Sequence, residues 1–286
     1  MTQLPLMKSF TDAQGVEITY YEWPVASPRA VVQVVHGLGD HAQRYGELAA
    51  ALNRMGISVY ANDHRGHGET GSRQVAAGQT KILGNLGPGG MKAVYEGEYQ
   101  FTQLIKAENP NLPLYLYGQS WGSFIAQHVM HKHPRDFAGM MLTGTSIMLP
   151  GFIGSGDYNT KFKHLPNVTG YEWLSRDPEV CAAFVADPWT FYADAFKVFG
   201  VVEALKIAGL PSRKIPPLMP ILIQVGSDDP VGGERSAAAL LKAYRRVGVK
   251  DVELIVYHGG RHEMLNETNK DEVLADLTGW LESNLS

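Results

Sequence analysis

A serine, an aspartate and a histidine, widely separated in this chain, stand where acyl-transfer chemistry would need them if the fold brought them together. Ser120 lies in Gly118-Gln119-Ser120-Trp121-Gly122, directly after the apolar run Leu114 to Tyr117. A serine between small residues at a strand-to-helix junction sits on a sharp turn that lifts its hydroxyl clear of the backbone. The unsatisfied N–H groups at the start of the following helix point at the same spot and favour negative charge there. An ordinary turn or helix cap is the bland alternative.

A serine hydroxyl is a weak nucleophile at neutral pH unless a base takes its proton. Ten histidines are available, and His262, just past the apolar stretch Val252 to Tyr257, is the preferred base. His258 is the rival, but Gly259 and Gly260 give the more distant ring freedom to fold back over a sheet edge. A surface histidine at a helix start is the reading without function. The base needs an orienting carboxylate, and Asp229 is preferred because Pro230 holds it out of helical geometry. Asp228 is the alternative, either as the acid or as a brace for the turn. Two backbone N–H donors must face the oxyanion. One is Trp121, directly after the nucleophile; the other is Leu38 in the glycine-rich stretch after Ala30 to Val35. His36-Gly37 also admits a tight turn with no catalytic duty.

These residues need a sheet to carry them. Val16, Ile18 and Tyr20 alternate with polar neighbours after the turn Asp12 to Gly15, which predicts a hairpin. Ala30 to Val35, Ile57 to Ala61, Leu114 to Tyr117 and Gly139 to Thr143 predict buried strands, as do Pro220 to Val225 and Val252 to Tyr257. Helical spacing places Leu48, Leu52 and Met55 on one face, with Gly56 as the stop; a loop then runs to about Gly90 and a helix from Lys92 to Glu108. Trp121 to Lys132, the stretch Ser236 to Gly248 and Lys270 to Leu285 complete the helices. Strand, helix and strand in alternation predict an α/β fold with a mostly parallel sheet.

The rhythm breaks from about Pro150 to Pro217, where aromatic, helix-compatible pieces such as Tyr171 to Asp177 replace strands. A structureless loop of that length is improbable within a compact domain, so a helical insertion is expected. The expected division is 1–149 for the first part of the core, 150–217 for a helical cap insertion and 218–286 for the second part of the core.

Composition narrows the function classes. With 25 Lys+Arg against 29 Asp+Glu and a net charge of −4, no basic run is available to neutralise a row of phosphates, so nucleic-acid binding is not expected. Cys181 is the single cysteine, which excludes an internal disulfide and a thiolate metal cluster. Asp63, His64 and His67 carry metal-ligand chemistry, but Gly66 and Gly68 break the segment and no further ligand pair stands out, so no metal is expected. No complete phosphate-binding glycine motif is present, and no cofactor is expected. The N-terminus lacks the pattern of a secretory signal, and no apolar window is long enough to span a bilayer. A cytoplasmic protein is the expectation, with the oligomeric state left open.

Five stretches together carry a family resemblance: His36 to Tyr45 ("HGLGDHAQRY"), Asp63 to Thr70 ("DHRGHGET"), Gly118 to Ser123 ("GQSWGS"), Gly226 to Val231 ("GSDDPV") and Arg261 to Glu267 ("RHEMLNE"). The chain resembles an α/β-hydrolase of the serine esterase and lipase type, and within it the monoacylglycerol lipase and lysophospholipase group. The order serine, aspartate, histidine is that of this fold. The resemblance implies Ser120 as nucleophile, Asp229 and His262 as the other triad members, and Leu38 and Trp121 as the oxyanion donors. It implies a cap that admits one acyl chain, a small acyl ester or monoacyl lipid as partner, and transient contact of the cap with a membrane or micelle. A small-molecule carboxylesterase, a thioesterase and a noncatalytic lipid-binding homologue are the alternatives. Gln119 and Trp121 depart from the group, which commonly carries His before the serine and Met or a small residue after it. The stretch Leu83 to Tyr95 departs as well, lacking the Asp that relatives often place at the helix start.

Overall fold

The computed structural model describes residues 4–149, 151–154, 156–166 and 168–285. The chain opens with an antiparallel hairpin of β1 (Leu6–Thr11) and β2 (Glu17–Trp23), registered so that Thr11 faces Glu17. Asp12 closes its turn by accepting the N–H groups of Gln14 and Val16 at 2.9 and 3.0 Å. There follow β3 (Ala30–Val35), α1 (Gly46–Arg54), β4 (Ile57–Asn62), α2 (Gly68–Ala76), α3 (Gly90–Glu108), β5 (Leu114–Gln119), α4 (Trp121–Lys132) and β6 (Gly139–Thr143). After α5 (Pro178–Ala186) and α6 (Ala195–Leu205), the chain returns through β7 (Ile221–Gly226), α7 (Gly233–Arg246), β8 (Val252–Tyr257) and α8 (Lys270–Asn284). The eight strands form one sheet in the order β1-β2-β4-β3-β5-β6-β7-β8, parallel from β4 to β8.

The apolar runs are continuous because helices cover both faces of the sheet. Val31, Val35, Leu116, Leu142 and Ile223 point into one core, filled by α3, α4 and α7. Their neighbours Val32, Val34, Tyr117 and Leu222 point into the other, filled by α1 and α8. Gln33 is buried on the first face, where its Nε2 donates to Glu98 Oε1 at 2.6 Å and its Oε1 accepts from Thr102 at 2.8 Å. Left unpaired, such a group would cost about 1–3 kcal/mol.

One helix stands where the sequence predicts a loop. The first turns of α2 hold Gly68 and Gly71, poor helix formers. Packing requires them: a Cβ on Gly71 would lie 2.4 Å from the Gly66 carbonyl carbon, so only a bare backbone lets the helix sit against that loop.

Among the described residues, the stretch between β6 and β7 carries α5, α6 and a 3-10 turn at Tyr158–Phe162. Tyr171 to Asp177 forms turns rather than a helix; Asp177 caps α5, accepting the Glu179 N–H at 2.9 Å, with Pro178 at the first helical position. Phe162, Trp173, Leu174 and Phe184 form a small core of their own, closed by Val231 from the loop after β7. No helix among the described residues is long and apolar enough to cross a membrane.

The junction of β5 and α4 is closely packed against the end of β3. A Cβ on Gly122 would lie 2.0 Å from the Val35 carbonyl oxygen and 2.4 Å from that of His36. Gly122→Ala is therefore expected to lower stability by about 3 kcal/mol or more, read from the urea midpoint. Gly46→Ala, at the start of α1 with no atom within 4 Å of the new methyl, should be neutral or slightly stabilising.

Candidate active site

Open α/β sheets place their sites at the carboxyl ends of the strands. Leu38 follows β3, Ser120 follows β5, Asp229 follows β7 and His262 follows β8. Ser120 has φ 53° and ψ −124°, a conformation that non-glycine residues rarely adopt. It is held there by its N–H, which donates to Thr143 O at 3.0 Å, and by its carbonyl, which accepts from the N–H and Oγ of Ser123 at 2.9 and 2.6 Å. Gly118 and Gly122 permit the close approach: a Cβ on Gly118 would lie 2.7 Å from Ser123 Cα.

With strands about 4.8 Å apart, the end of β8 lies on the order of 14 Å from the end of β5. The histidine loop crosses that gap over two glycines. A Cβ on Gly226, at the end of β7, would lie 2.0 Å from Gly260 O; one on Gly144, just past β6, would lie 2.6 Å from His262 O and 3.1 Å from its ring Cε1. The ring thus reaches the strand next to the serine turn. Gln119 Nε2 reaches across at 3.4 Å to His262 O, while its Oε1 accepts from Thr143 at 2.8 Å.

Both carboxylate oxygens of Asp229 lie 3.0 Å from His262 Nδ1. A carboxylate accepts only, so Nδ1 carries the proton and Nε2 is left as an acceptor. Nε2 is buried with no hydrogen-bond partner among the described residues, and no hydrogen bond joins it to Ser120. The structure therefore makes the Asp–His contact and leaves the Ser–His contact open. Asp228 points outward, its side chain 49% exposed and 3.8 Å from Lys161, and His258 is exposed.

The Leu38 and Trp121 amides have no acceptor among the described residues. The loop bearing Leu38 is shaped by buried Asp40, which accepts from the His41 N–H at 2.8 Å, Tyr45 OH at 2.7 Å and Arg44 Nη1 at 2.8 Å. Arg44 also grips Glu263, next to His262, through two bonds of 2.8 and 2.7 Å. One guanidinium thus ties the Leu38 loop to the histidine loop. Burial alone would raise the Asp40 carboxyl, but Arg44 and His41 hold it below its ordinary value. Burial would likewise lower Arg44, yet Glu263 and Asp40 raise it well above its ordinary value. Removing one partner of such a buried cluster strands the others, so Arg44→Ala is expected to cost about 3–5 kcal/mol in unfolding free energy. Arg44→Lys should recover only part, because an ammonium cannot grip a carboxylate with a planar fork.

The Asp63, His64 and His67 cluster braces the Leu38 loop from beneath. Asp63 accepts the N–H groups of Ala42 and Glu69, both at 2.8 Å, and burial pushes its carboxyl up to about 6. The His36 Nε2 accepts the His64 N–H at 3.0 Å; burial, then nearby His64 and His67, keeps the His36 ring well below its ordinary value. His67 donates from Nδ1 to Arg65 O at 2.9 Å, and burial drives its pKa down to about 3. Arg65 itself pairs with buried Asp12 at 2.6 Å. No group of three or more His, Cys, Asp or Glu side chains among the described residues is arranged to hold a metal ion. Cys181 is buried, which pushes its thiol up to about 11.

A cavity of about 120 Å³ opens at Ser120, lined by Leu38, Trp121, Met148, Trp173 and Phe196. Trp121 packs against His67 and Phe199 at ring-centre distances of 5.2 and 5.0 Å, and Trp173 lies 5.0 Å from the His262 ring. Among the described residues one carboxylate lines the cavity, Asp194, which caps α6 and pairs with Lys197 at 3.4 Å.

An eight-stranded, mostly parallel sheet, with a serine turn and an Asp–His pair at its carboxyl edge, is the architecture of an α/β-hydrolase. The chain belongs to the hydrolase family described as "Serine aminopeptidase, S33" (Hydrolase_4), whose model matches residues 26–269. It is 31% identical to a monoacylglycerol lipase of Mycolicibacterium smegmatis over 97% of both chains. It is 27% identical to the human monoglyceride lipase, covering 94% of this chain and 88% of the relative. A thermostable carboxyl esterase from Bacillus coagulans, solved in complex with glycerol, superposes with a TM-score of 0.84 over 100% of both chains at 26% identity. The resemblance read from the five motifs is borne out. The Arg44 clamp, the role of Gln119 and the placement of Trp173 were not apparent from the sequence. Asp40, Arg44 and Glu263 do lie inside two of the motifs, which was the only signal available.

Proposed function

We propose that this protein hydrolyses carboxylic esters through a covalent acyl-enzyme at Ser120, with monoacyl lipids of the monoacylglycerol or lysophospholipid type as substrates. The observation that carries the reading is the Asp229–His262 contact, which leaves Nε2 as an acceptor on a ring lying over the end of β6, beside the serine turn. In this mechanism, closure of the Ser–His contact lets Nε2 take the Ser120 proton as Oγ attacks the ester carbonyl. The Leu38 and Trp121 amides receive the oxyanion, and His262 returns the proton to the leaving alcohol. Water then repeats the sequence and releases the acid.

The apolar lining of the cavity favours an acyl chain. A free-amine peptide substrate would call for an uncommitted carboxylate near Ser120, and Asp194 is already engaged by α6 and Lys197. The names of the relatives agree with an ester. The insertion at 150–217 acts as the cap in this reading: Trp173 and Phe196 face the cavity. On α6, Phe196, Val202 and Leu205 are 52%, 71% and 62% exposed, which supports transient contact with a lipid surface.

The test is a hydrolysis profile over monoacylglycerols, lysophospholipids, thioesters and simple esters of graded chain length, with the Ser120→Ala protein as blank. Monoacyl lipids should be preferred over triacylglycerols. Preference for a bulky triacylglycerol or an amide would overturn the substrate class, and preference for a thioester would move the assignment to that alternative. Trp121 fills space beside the nucleophile, so Trp121→Met is expected to shift kcat/KM towards longer chains by about tenfold relative to short ones.

A further inference from the structure

A second concavity of about 650 Å³ lies outside the catalytic cavity, against α7. The two share a wall. After β6, Met148 and Ile153 face the catalytic cavity, whereas Ile147, Leu149 and Phe152 face this groove. Its floor is apolar, completed by Leu210, Ala239 and Val247.

Its rim is cationic. Arg235, Lys242 and Arg246 line it from α7, at a spacing of seven and then four residues that sets them in one stripe. The opposite face of α7 is buried through Ala237, Leu240 and Tyr244. None of the three cations has an ion-pair or hydrogen-bond partner among the described residues; the Arg235 guanidinium rests on the Phe152 ring at 5.0 Å. Their alignment beside an apolar floor gives the groove a positive edge in a chain of net charge −4.

We propose that this groove is a binding site for a fatty-acid anion: a single hydrocarbon tail on the apolar floor, with its carboxylate at Lys242 and Arg246, one helical turn apart, and Arg235 further along the same rim. A guanidinium grips a carboxylate through two parallel bonds, which a neutral ester or alcohol cannot reproduce. The volume falls within the about 300–1,000 Å³ typical of small-molecule sites. A concave site encloses one chain, whereas a bilayer surface is met by protruding side chains. The proposal draws on the ester-hydrolase reading only for the ligand's source, since cleavage of a monoacyl lipid would release such an anion on the other side of the shared wall.

Binding is measured on the Ser120→Ala protein, so that neither turnover nor a reactive serine enters the result. A diazirine-bearing fatty acid is photolysed with the protein and the labelled peptides are mapped by mass spectrometry, with laurate as competitor. Label is expected on α7, which lines the groove and not the catalytic cavity, and is thereby separable from label near Trp121. In the Arg235→Gln/Lys242→Gln/Arg246→Gln protein, with its thermal midpoint unchanged, groove labelling and laurate affinity at this site should fall by at least about tenfold. Three results overturn the proposal. One is label that persists in the triple variant, and another is equal labelling by the matching neutral alcohol probe. The third is binding only to phosphatidylglycerol vesicles or to a second copy of the chain, which would make the face a membrane or dimer contact. Esterase activity plays no part in these measurements, so the groove and the catalytic reading fail separately.

Discussion

The Ser120→Ala protein is expected to lose about 10⁴–10⁶ of kcat on a good monoacyl ester, with thermal stability nearly unchanged. The size follows from the chemistry: without Oγ there is no acyl-enzyme, and only substrate binding and the Leu38 and Trp121 amides remain to assist direct attack by water. Stability should hold because Ser120 keeps its backbone by contacts that do not use its hydroxyl. Its N–H bonds Thr143 O, its carbonyl is held by Ser123, and the space around the turn is made by Gly118 and Gly122. The residual strain of φ 53° stays in the variant, because the neighbours impose it. Burst release of alcohol from an activated ester, and labelling by a fluorophosphonate, should both vanish. An undiminished burst would place the nucleophile elsewhere.

The parts of this fold that could be read in advance are those governed by local pattern. The limits of Gly139–Thr143 and Val252–Tyr257 follow from β-rich apolar runs ended by turn residues, and Trp121–Lys132 follows from the elbow before it. The placement of Ser120, Asp229 and His262 at the sheet's carboxyl edge was legible because each follows a strand and sits beside residues that bend the chain. Where tertiary contact overrides local preference, the reading fails. The glycines of α2 argue for a loop until Gly71 is seen to pack on the Gly66 backbone. The aromatic stretch Tyr171 to Asp177 has helical composition, but there the chain supplies carbonyls to its neighbours. Leu174 O accepts the N–H groups of His262 and Glu263 at 3.1 and 2.7 Å, and Arg261 donates to the carbonyls of Glu172 and Ser175 at 2.6 and 2.8 Å. A regular helix would have tied the Glu172 carbonyl to the Arg176 N–H, which here donates to Glu267 at 3.1 Å instead. The clamp from Arg44 to Glu263 spans 219 residues, and no periodicity in either segment encodes its partner.

Asp229→Asn is the more discriminating change, with an expected loss of about 10⁴ in kcat. The Asp229 Oδ1 accepts the Val231 N–H at 2.8 Å, and both carboxylate oxygens lie 3.0 Å from His262 Nδ1. An asparagine that keeps the Val231 bond must place its carbonyl oxygen at the Oδ1 position and its NH₂ at Oδ2. That NH₂ then donates towards Nδ1, which favours the tautomer protonated on Nε2. The ring nitrogen meant to accept the serine proton becomes a donor, and the base is lost with its geometry intact. The cost is therefore in turnover rather than in KM or unfolding free energy, and the rate of fluorophosphonate labelling should fall in parallel with kcat. Asp228→Asn is the matched control: among the described residues its exposed carboxylate pairs with Lys161 alone, so activity should stay within about twofold, as expected of an exposed pair. If Asp229→Asn kept more than a tenth of the activity while Asp228→Asn lost it, the orienting acid would be the other aspartate. If neither mattered, His262 would have to be positioned by the Leu174 and Gln119 contacts alone.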